Sequence, residues 1–302
     1  MSSIGFIGLG NMGGPMVRNL MKAGHALKVF DLSKAALEAA VKDGATAAKS
    51  ASDAADGVEV VFTMLPAGPE VRDVYLGAGK VIATAAKGSL LIDCTTADIP
   101  SVRAAIEAAT AAGHDMIECP VSGGVGGAAA GTLTMMAGGS DKAFARAKPV
   151  LEAVGKNIIH AGGPGNGQAA KMCNNMMLAI QTIGVCEGFL LAEKLGLDAQ
   201  KLFDIASTAT SQCWVMNSYC PVPGPVPASP ANRGYKAGFT AAMMLKDLKL
   251  SQEAAQSAGV ATPMGAEAAA LYGLFARAGG APADFTGIIR MLRGEGKIGD
   301  LF

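Results

Sequence analysis

The sequence predicts an α/β fold: an N-terminal doubly wound, mostly parallel sheet, then an all-helical C-terminal domain joined to it by a long interdomain helix. Three observations predict it. Apolar β-type runs alternate with Ala-rich helical stretches through the first half, a glycine-rich turn follows the first run, and the β signals stop after Gly162.

The runs are Ile4–Leu9, Ala26–Phe30, Val58–Leu65, Leu90–Cys94, Met116–Val121, Leu133–Ala137 and a short last one at Asn157–His160. Several are continuously apolar, as strands covered on both faces must be. Between them, "SKAALEAAVKDG" opens with Ser33 in an N-cap role and closes at Gly44, the punctuation of a crossover helix. Long Ala, Leu and Met segments follow at 165–195, 239–258 and 263–278. The expected organisation is therefore a nucleotide-binding domain over 1–162, the interdomain helix over 163–195 and a helical domain over 196–302. Five prolines between Pro221 and Pro230 forbid helix and central strand in Cys220–Gly238. Two readings of that loop stand, a plain surface connection and a rim beside the site.

Composition narrows the function. Lys plus Arg equals Asp plus Glu at 25 each, so no basic excess points to nucleic acid and no charged tail to an anionic membrane. The six cysteines never fall at C-x-x-C spacing and sit among apolar residues, which reads as reduced, buried thiols of an intracellular protein. With no basic residue before Arg18 and glycines where a signal peptide needs an apolar run, the chain reads as cytoplasmic, or as a processed protein of the mitochondrial matrix, the cytoplasm preferred. Met172–Ala192 has the length of a bilayer-spanning helix, but Asn174, Asn175, Gln181 and Glu187 would be costly in hydrocarbon. It reads as a buried helix between domains.

Gly8, Gly10 and Gly13 spell G-x-G-x-x-G directly after the first strand and at the opening of a helix. A turn this tight needs residues without a Cβ, and the helix N-terminus directs N–H groups at a pyrophosphate. Asn11 and Met12 lie inside this turn. Asp31 ends the next strand about 20 residues on, where a carboxylate accepts ribose hydroxyls and repels a 2′-phosphate. NAD is thus the expected cofactor. Met64, Leu65 and Pro66, in "TMLPAG", and Thr95 or Thr96, in "DCTTAD", close later strands on the edge where ligands sit in open α/β sheets.

Two constellations supply chemistry. Ser122, Gly123 and Gly124 follow a strand end and offer a hydroxyl and backbone N–H groups to a substrate carboxylate, although the glycines also suit a plain turn. Pro120 spoils a G-x-S-x-G reading, and no metal-ligand spacing occurs, so a metal-free site is expected. Lys171 and Asn175 stand four apart on one helical face within "GPGNGQAAKMCNNMM". A desolvated lysine can lose its proton near neutral pH and so exchange one with an alcohol; a solvated lysine at the helix start is the other reading.

The segments "FIGLGNMGGPM", "DCTT", "PVSGGVGGAAAGTL", "GNGQAAKMCNN" and "MMLKDL", spread over essentially the whole chain, resemble the 3-hydroxyisobutyrate dehydrogenases of the β-hydroxyacid dehydrogenase group. The resemblance implies a Rossmann domain followed by a helical domain, and a homodimer or homotetramer. It implies that Lys171 is the catalytic lysine, Asn175 its supporting amide, and Ser122, Gly123 and Gly124 the carboxylate loop. Asn174 is a neighbouring substrate residue, and Lys246 approaches the cofactor from the helical domain. The reaction implied is oxidation of 3-hydroxyisobutyrate to methylmalonate semialdehyde in valine breakdown. A sister enzyme acting on L-serine or on D-glycerate with tartronate semialdehyde is the alternative. A non-catalytic NAD sensor would have no need of Lys171 and Asn175, and an imine reductase of this fold commonly lacks the lysine.

Overall fold

The computed structural model of the chain describes residues 1–296 and 298–300. Two compact units result, Met1–Lys171 and Met172–Phe302. The division falls inside a single helix, Asn166–Lys194. Leu301 and Phe302, at the end of the helical domain expected over 196–302, lie outside the described residues.

The first unit holds nine strands among its described residues: β1 (Ser3–Ile7), β2 (Ala26–Phe30), β3 (Thr46–Ala47), β4 (Val60–Thr63), β5 (Leu90–Asp93), β6 (Asp115–Glu118), β7 (Val121–Ser122), β8 (Leu133–Gly139) and β9 (Gly155–Gly162). They form one sheet in the order β3-β2-β1-β4-β5-β6-β8-β7, with β9 on β8. From β3 to β6 all pairs are parallel. The strand order reverses at β1, between β2 and β4, so the carboxyl ends there open into the crevice where such sheets bind ligands.

Alternate residues of the central strands enter separate cores. Val60, Phe62, Leu90 and Ile92 pack with Ile4, Phe6, Met16 and Leu20 on one face. Val61 and Leu91 pack with Val71, Tyr75, Val102 and Ala105 on the other. Burial on both faces is why these strands carry no polar alternation.

The run expected over Met116–Val121 is two strands. β6 stops at Glu118, and Val121–Ser122 pairs antiparallel with β8. Pro120 has no N–H to continue a ladder, and β8 also runs antiparallel to β6, which makes this edge of the sheet mixed. The cysteines are free thiols, but not all are buried as expected: Cys173 is exposed and Cys213 half-buried. The Cys213 Sγ accepts the Met216 N–H at 3.5 Å, so this thiol caps the short helix Trp214–Ser218.

The second unit is built on helices Ala199–Ala206, Ala241–Ala258 and Pro263–Phe275 with most of Asn166–Lys194. Its core joins Ala179, Ile183, Cys186 and Phe189 to Met244, Leu248, Tyr272, Phe275 and Ile288. The proline-rich loop is part of this core and no mere surface connection. Cys220, Val222, Ser229 and Tyr235 are buried; the Ser229 hydroxyl donates to the Cys220 carbonyl at 2.6 Å and the Tyr235 hydroxyl to that of Pro221 at 2.9 Å. Proline removes backbone donors from the loop, and side-chain hydroxyls satisfy these two of its carbonyls.

Phe62 is fully buried and stacks on Phe6 with ring centroids 5.6 Å apart. Phe62→Ala is expected to destabilise the first unit by about 3–5 kcal/mol, read from the urea midpoint. A loss below about 1 kcal/mol would show that the two-faced core does not hold this sheet.

Candidate active site

The turn after β1 is closed by backbone. Gly8 has φ +96°, and a Cβ there would fall on the Met64 carbonyl oxygen; a Cβ on Gly13 would fall on the Gly8 carbonyl oxygen. Gly10 faces open space. The helix Gly13–Lys22 begins with no side-chain cap at Met12 and no acidic residue in its first turn. An uncapped, partly positive helix start beside an unobstructed glycine fits a pyrophosphate.

Asp31, half-buried at the end of β2, accepts the Leu9 N–H at 2.6 Å and the Ser33 N–H at 2.7 Å, one on each carboxylate oxygen. The structure thereby brings the expected ribose partner onto the glycine turn. Each oxygen keeps acceptor capacity for a sugar hydroxyl. Together the glycine cradle, the helix start and this carboxylate match the phosphates and ribose of NAD.

The turns after β4 and β5 are joined as well. The Leu65 N–H donates to the Thr95 hydroxyl at 2.9 Å, so Met64, Leu65 and Pro66 are held against the segment that contains Thr95 and Thr96. Below them lies a buried polar chain that sequence reasoning missed. The Thr63 hydroxyl donates to Asp93 at 2.7 Å and lies 2.9 Å from the Tyr75 hydroxyl, while the Thr95 N–H donates to Asp93 at 3.2 Å. Burial pushes the Asp93 carboxyl up to about 6 against these hydrogen bonds.

Ser122 is the last residue of β7 and lies opposite Thr134 of β8; Gly123 and Gly124 follow it with φ +132° and +62°, and Gly124 opens the helix Gly124–Ala130. That helix packs on the phosphate-turn helix: the Asn19 amide donates to the Ala128 carbonyl at 2.7 Å. Lys171 is only 7% exposed on the helix Asn166–Lys194. The same helix start is tied to the sheet through Gln168, whose amide donates to the Thr95 carbonyl at 2.7 Å.

In the second unit, the Asn174 side-chain amide donates to the Asn175 Oδ1 at 2.9 Å, and the Asn175 side-chain amide donates to Asp247 at 2.5 Å. Lys246 pairs with Asp247 at 3.4 Å. Asp247 is 2% exposed and joins Asn175 to Lys246, with Asn174 bonded to Asn175, and it is a residue the sequence reading does not single out. Its signal was the lone carboxylate in "MMLKDLKL", beside a lysine already singled out.

Two family models match the chain: the NAD binding domain of 6-phosphogluconate dehydrogenase over residues 3–162, and the NAD-binding domain of NADP-dependent 3-hydroxyisobutyrate dehydrogenase over residues 165–292. A 3-hydroxyisobutyrate dehydrogenase of Pseudomonas aeruginosa is 46% identical over 98% of this chain and 100% of its own length. The chain belongs to the 3-hydroxyisobutyrate dehydrogenase family. It is an NAD-dependent oxidoreductase. An NAD-dependent L-serine dehydrogenase of the same bacterium is also 46% identical, over 95% of this chain and 96% of that protein. The solved structure of Mycobacterium tuberculosis 3-hydroxyisobutyrate dehydrogenase with L-serine superposes with a TM-score of 0.92 at 47% identity, covering 97% of this chain and 99% of that one.

Asp93 and Glu118, partners in register on β5 and β6, are both carboxyls raised by burial, to about 6 and about 7. A carboxyl raised in the fold binds its proton there more tightly than in the unfolded chain. Its stabilising contribution is present at low pH and is lost as pH rises through the folded value. The Tm of the parent minus that of Asp93→Asn should therefore shrink from about pH 5 to about pH 7.5. A difference that grows over that range would show Asp93 to be held ionised.

Proposed function

We propose that this chain oxidises the primary alcohol of 3-hydroxyisobutyrate to methylmalonate semialdehyde. When bound, NAD supplies the hydride acceptor. Gly8, Gly10, Asn11, Met12 and Gly13 would take its phosphates, Asp31 its ribose, and Met64, Leu65, Pro66, Thr96 and Lys246 further parts of it. Ser122 with the backbone at Gly123 and Gly124 would take the substrate carboxylate, with Asn174 beside it. Lys171, unprotonated when poised, would accept the hydroxyl proton, and Asn175 would orient the alcohol.

The observation that carries this reading is the burial of Lys171 one helical turn before Asn175, in a chain of this family. A solvated lysine would gain nothing from such a place, whereas a desolvated one is easier to deprotonate. The cytoplasm, and assembly as a homodimer or homotetramer, belong to the same reading.

L-serine is the second reading, because one of the relatives is named for it and a solved neighbour holds it. Serine and 3-hydroxyisobutyrate share the primary alcohol and the carboxylate and differ at C2, an ammonium against a methyl. Burying the unpaired ammonium is the dearer of the two. Initial rates with NAD⁺ are expected to give 3-hydroxyisobutyrate a kcat/KM about tenfold or more above L-serine and D-glycerate, a gap worth about 1.4 kcal/mol. A reversed order would make this a serine or glycerate dehydrogenase.

Lys171→Ala is expected to lower turnover by about 10²–10⁴ while NADH still binds, measured by steady-state kinetics and fluorescence titration. Lys171→Arg should not restore it, because guanidinium stays protonated. An Ala variant with more than about a tenth of parental turnover would remove the lysine from the proton transfer.

A further inference from the structure

We infer that Glu118 is a positioning residue for the reaction: from the end of β6, its buried carboxylate holds the start of the helix Asn166–Lys194 and so sets where Lys171 stands. This rests on the proton-accepting role given to Lys171 above.

The carboxylate has no exposure to solvent. It accepts the Gly165 N–H at 3.0 and 3.2 Å on its two oxygens, the Gly167 N–H at 2.8 Å and the Gln168 N–H at 3.4 Å. These are among the N–H groups that a helix start leaves without intrahelical acceptors, and the helix dipole favours a negative charge beside them. Burial nevertheless dominates and pushes the carboxyl up to about 7. As a mere cap this is a costly choice. A polar residue at the start of the helix commonly caps it at little cost, and Asn166 stands there, yet its amide donates to the Ala161 carbonyl at 3.1 Å instead. A cap reaching in from the sheet, 47 to 50 residues earlier in the chain, does what a local cap cannot: it fixes the helix against β6.

Two missing side chains shape the fit. A Cβ on Gly138 of β8 would fall on the Glu118 carboxylate, and one on Gly167 would fall on the Met136 carbonyl oxygen. Gln168, fully buried, adds a second tie: its side-chain oxygen accepts the Ala97 N–H at 3.1 Å and its amide donates to the Thr95 carbonyl. Lys171 lies three residues after Gln168 and four after Gly167, on the same side of the helix, so any tilt or slip of this start moves the amine. A displacement of about 1 Å at a reacting group costs up to about 10²-fold in rate.

The test is a double-mutant cycle in the full chain. Glu118→Gln keeps length and volume but turns one oxygen into a donor facing the Gly165 N–H. It is expected to lower kcat about tenfold or more. Its NADH dissociation constant should stay within about twofold of the parent, and amide exchange over 165–171 should speed up. In the Lys171→Ala background the same change should cost no more than about twofold further, because its effect runs through the lysine. Glu118→Asp, which keeps the charge but withdraws it by one methylene, should stay folded and lose kcat likewise. Parental kcat in both Glu118 variants would overturn the inference and leave the role of Lys171 intact. So would equal losses with and without Lys171, the mark of a structural residue. Full turnover in Lys171→Ala alone would instead overturn the reading of the lysine, and this inference with it.

Discussion

At the turn between β1 and the helix Gly13–Lys22, main chain lies where side chains would otherwise stand. A Cβ at Gly8 would overlap the Met64 carbonyl and one at Gly13 the Gly8 carbonyl, so the ends of β1 and β4 and the first helical turn are in backbone contact. The Gly8 N–H donates to the Phe30 carbonyl at 2.9 Å, and the Met64 N–H to that of Ile7 at 2.9 Å. Three neighbouring strands therefore end in one register around a surface made of peptide groups. Asp31 can lie on this turn only because the chain beneath it is that close. A peptide surface with an uncapped helix start suits a phosphate ligand, and it leaves the specificity of the reaction to side chains elsewhere.

Those side chains stand on a second frame of buried polar groups. Thr63, Tyr75, Asp93 and Thr95 link the ends of β4 and β5, and Glu118 with Gln168 links the ends of β5 and β6 to the helix that carries Lys171. Apolar residues could fill the same volume without the desolvation cost. What such a polar network adds is direction, because each hydrogen bond fixes an angle that packing leaves loose. The cost shows in the raised Asp93 and Glu118 carboxyls.

The sheet and the turn were legible because their signals are local. Seven apolar runs, a glycine spacing and an aspartate about 20 residues on can be read within short windows. The Ser33 N-cap is legible in the same way, and its hydroxyl accepts the Ala36 N–H at 3.3 Å. What escaped was set by distant partners. Glu118, inside "MIECPV", looks like a strand residue until Gly165 and Gly167 meet it; Gln168 finds Thr95 and Ala97 more than 70 residues back; Asp247 finds Asn175 72 residues back. The break at Cys119 and Pro120 was hidden by an apolar run continuous enough to pass for one strand. The exposure of Cys173 depends on which side of its helix meets protein, and an almost wholly apolar segment does not announce that.

If the turn and Asp31 together make the nucleotide site, the parental protein must distinguish the two nicotinamide cofactors in binding alone, without substrate. Fluorescence titration of the unmodified chain with NADH and with NADPH measures this directly. A carboxylate held at the ribose edge opposes a 2′-phosphate, and like-charge placement of this kind costs enough that NADH should bind about tenfold or more tighter. Equal dissociation constants, or tighter binding of NADPH, would contradict the placement of Asp31 and with it the assignment of NAD.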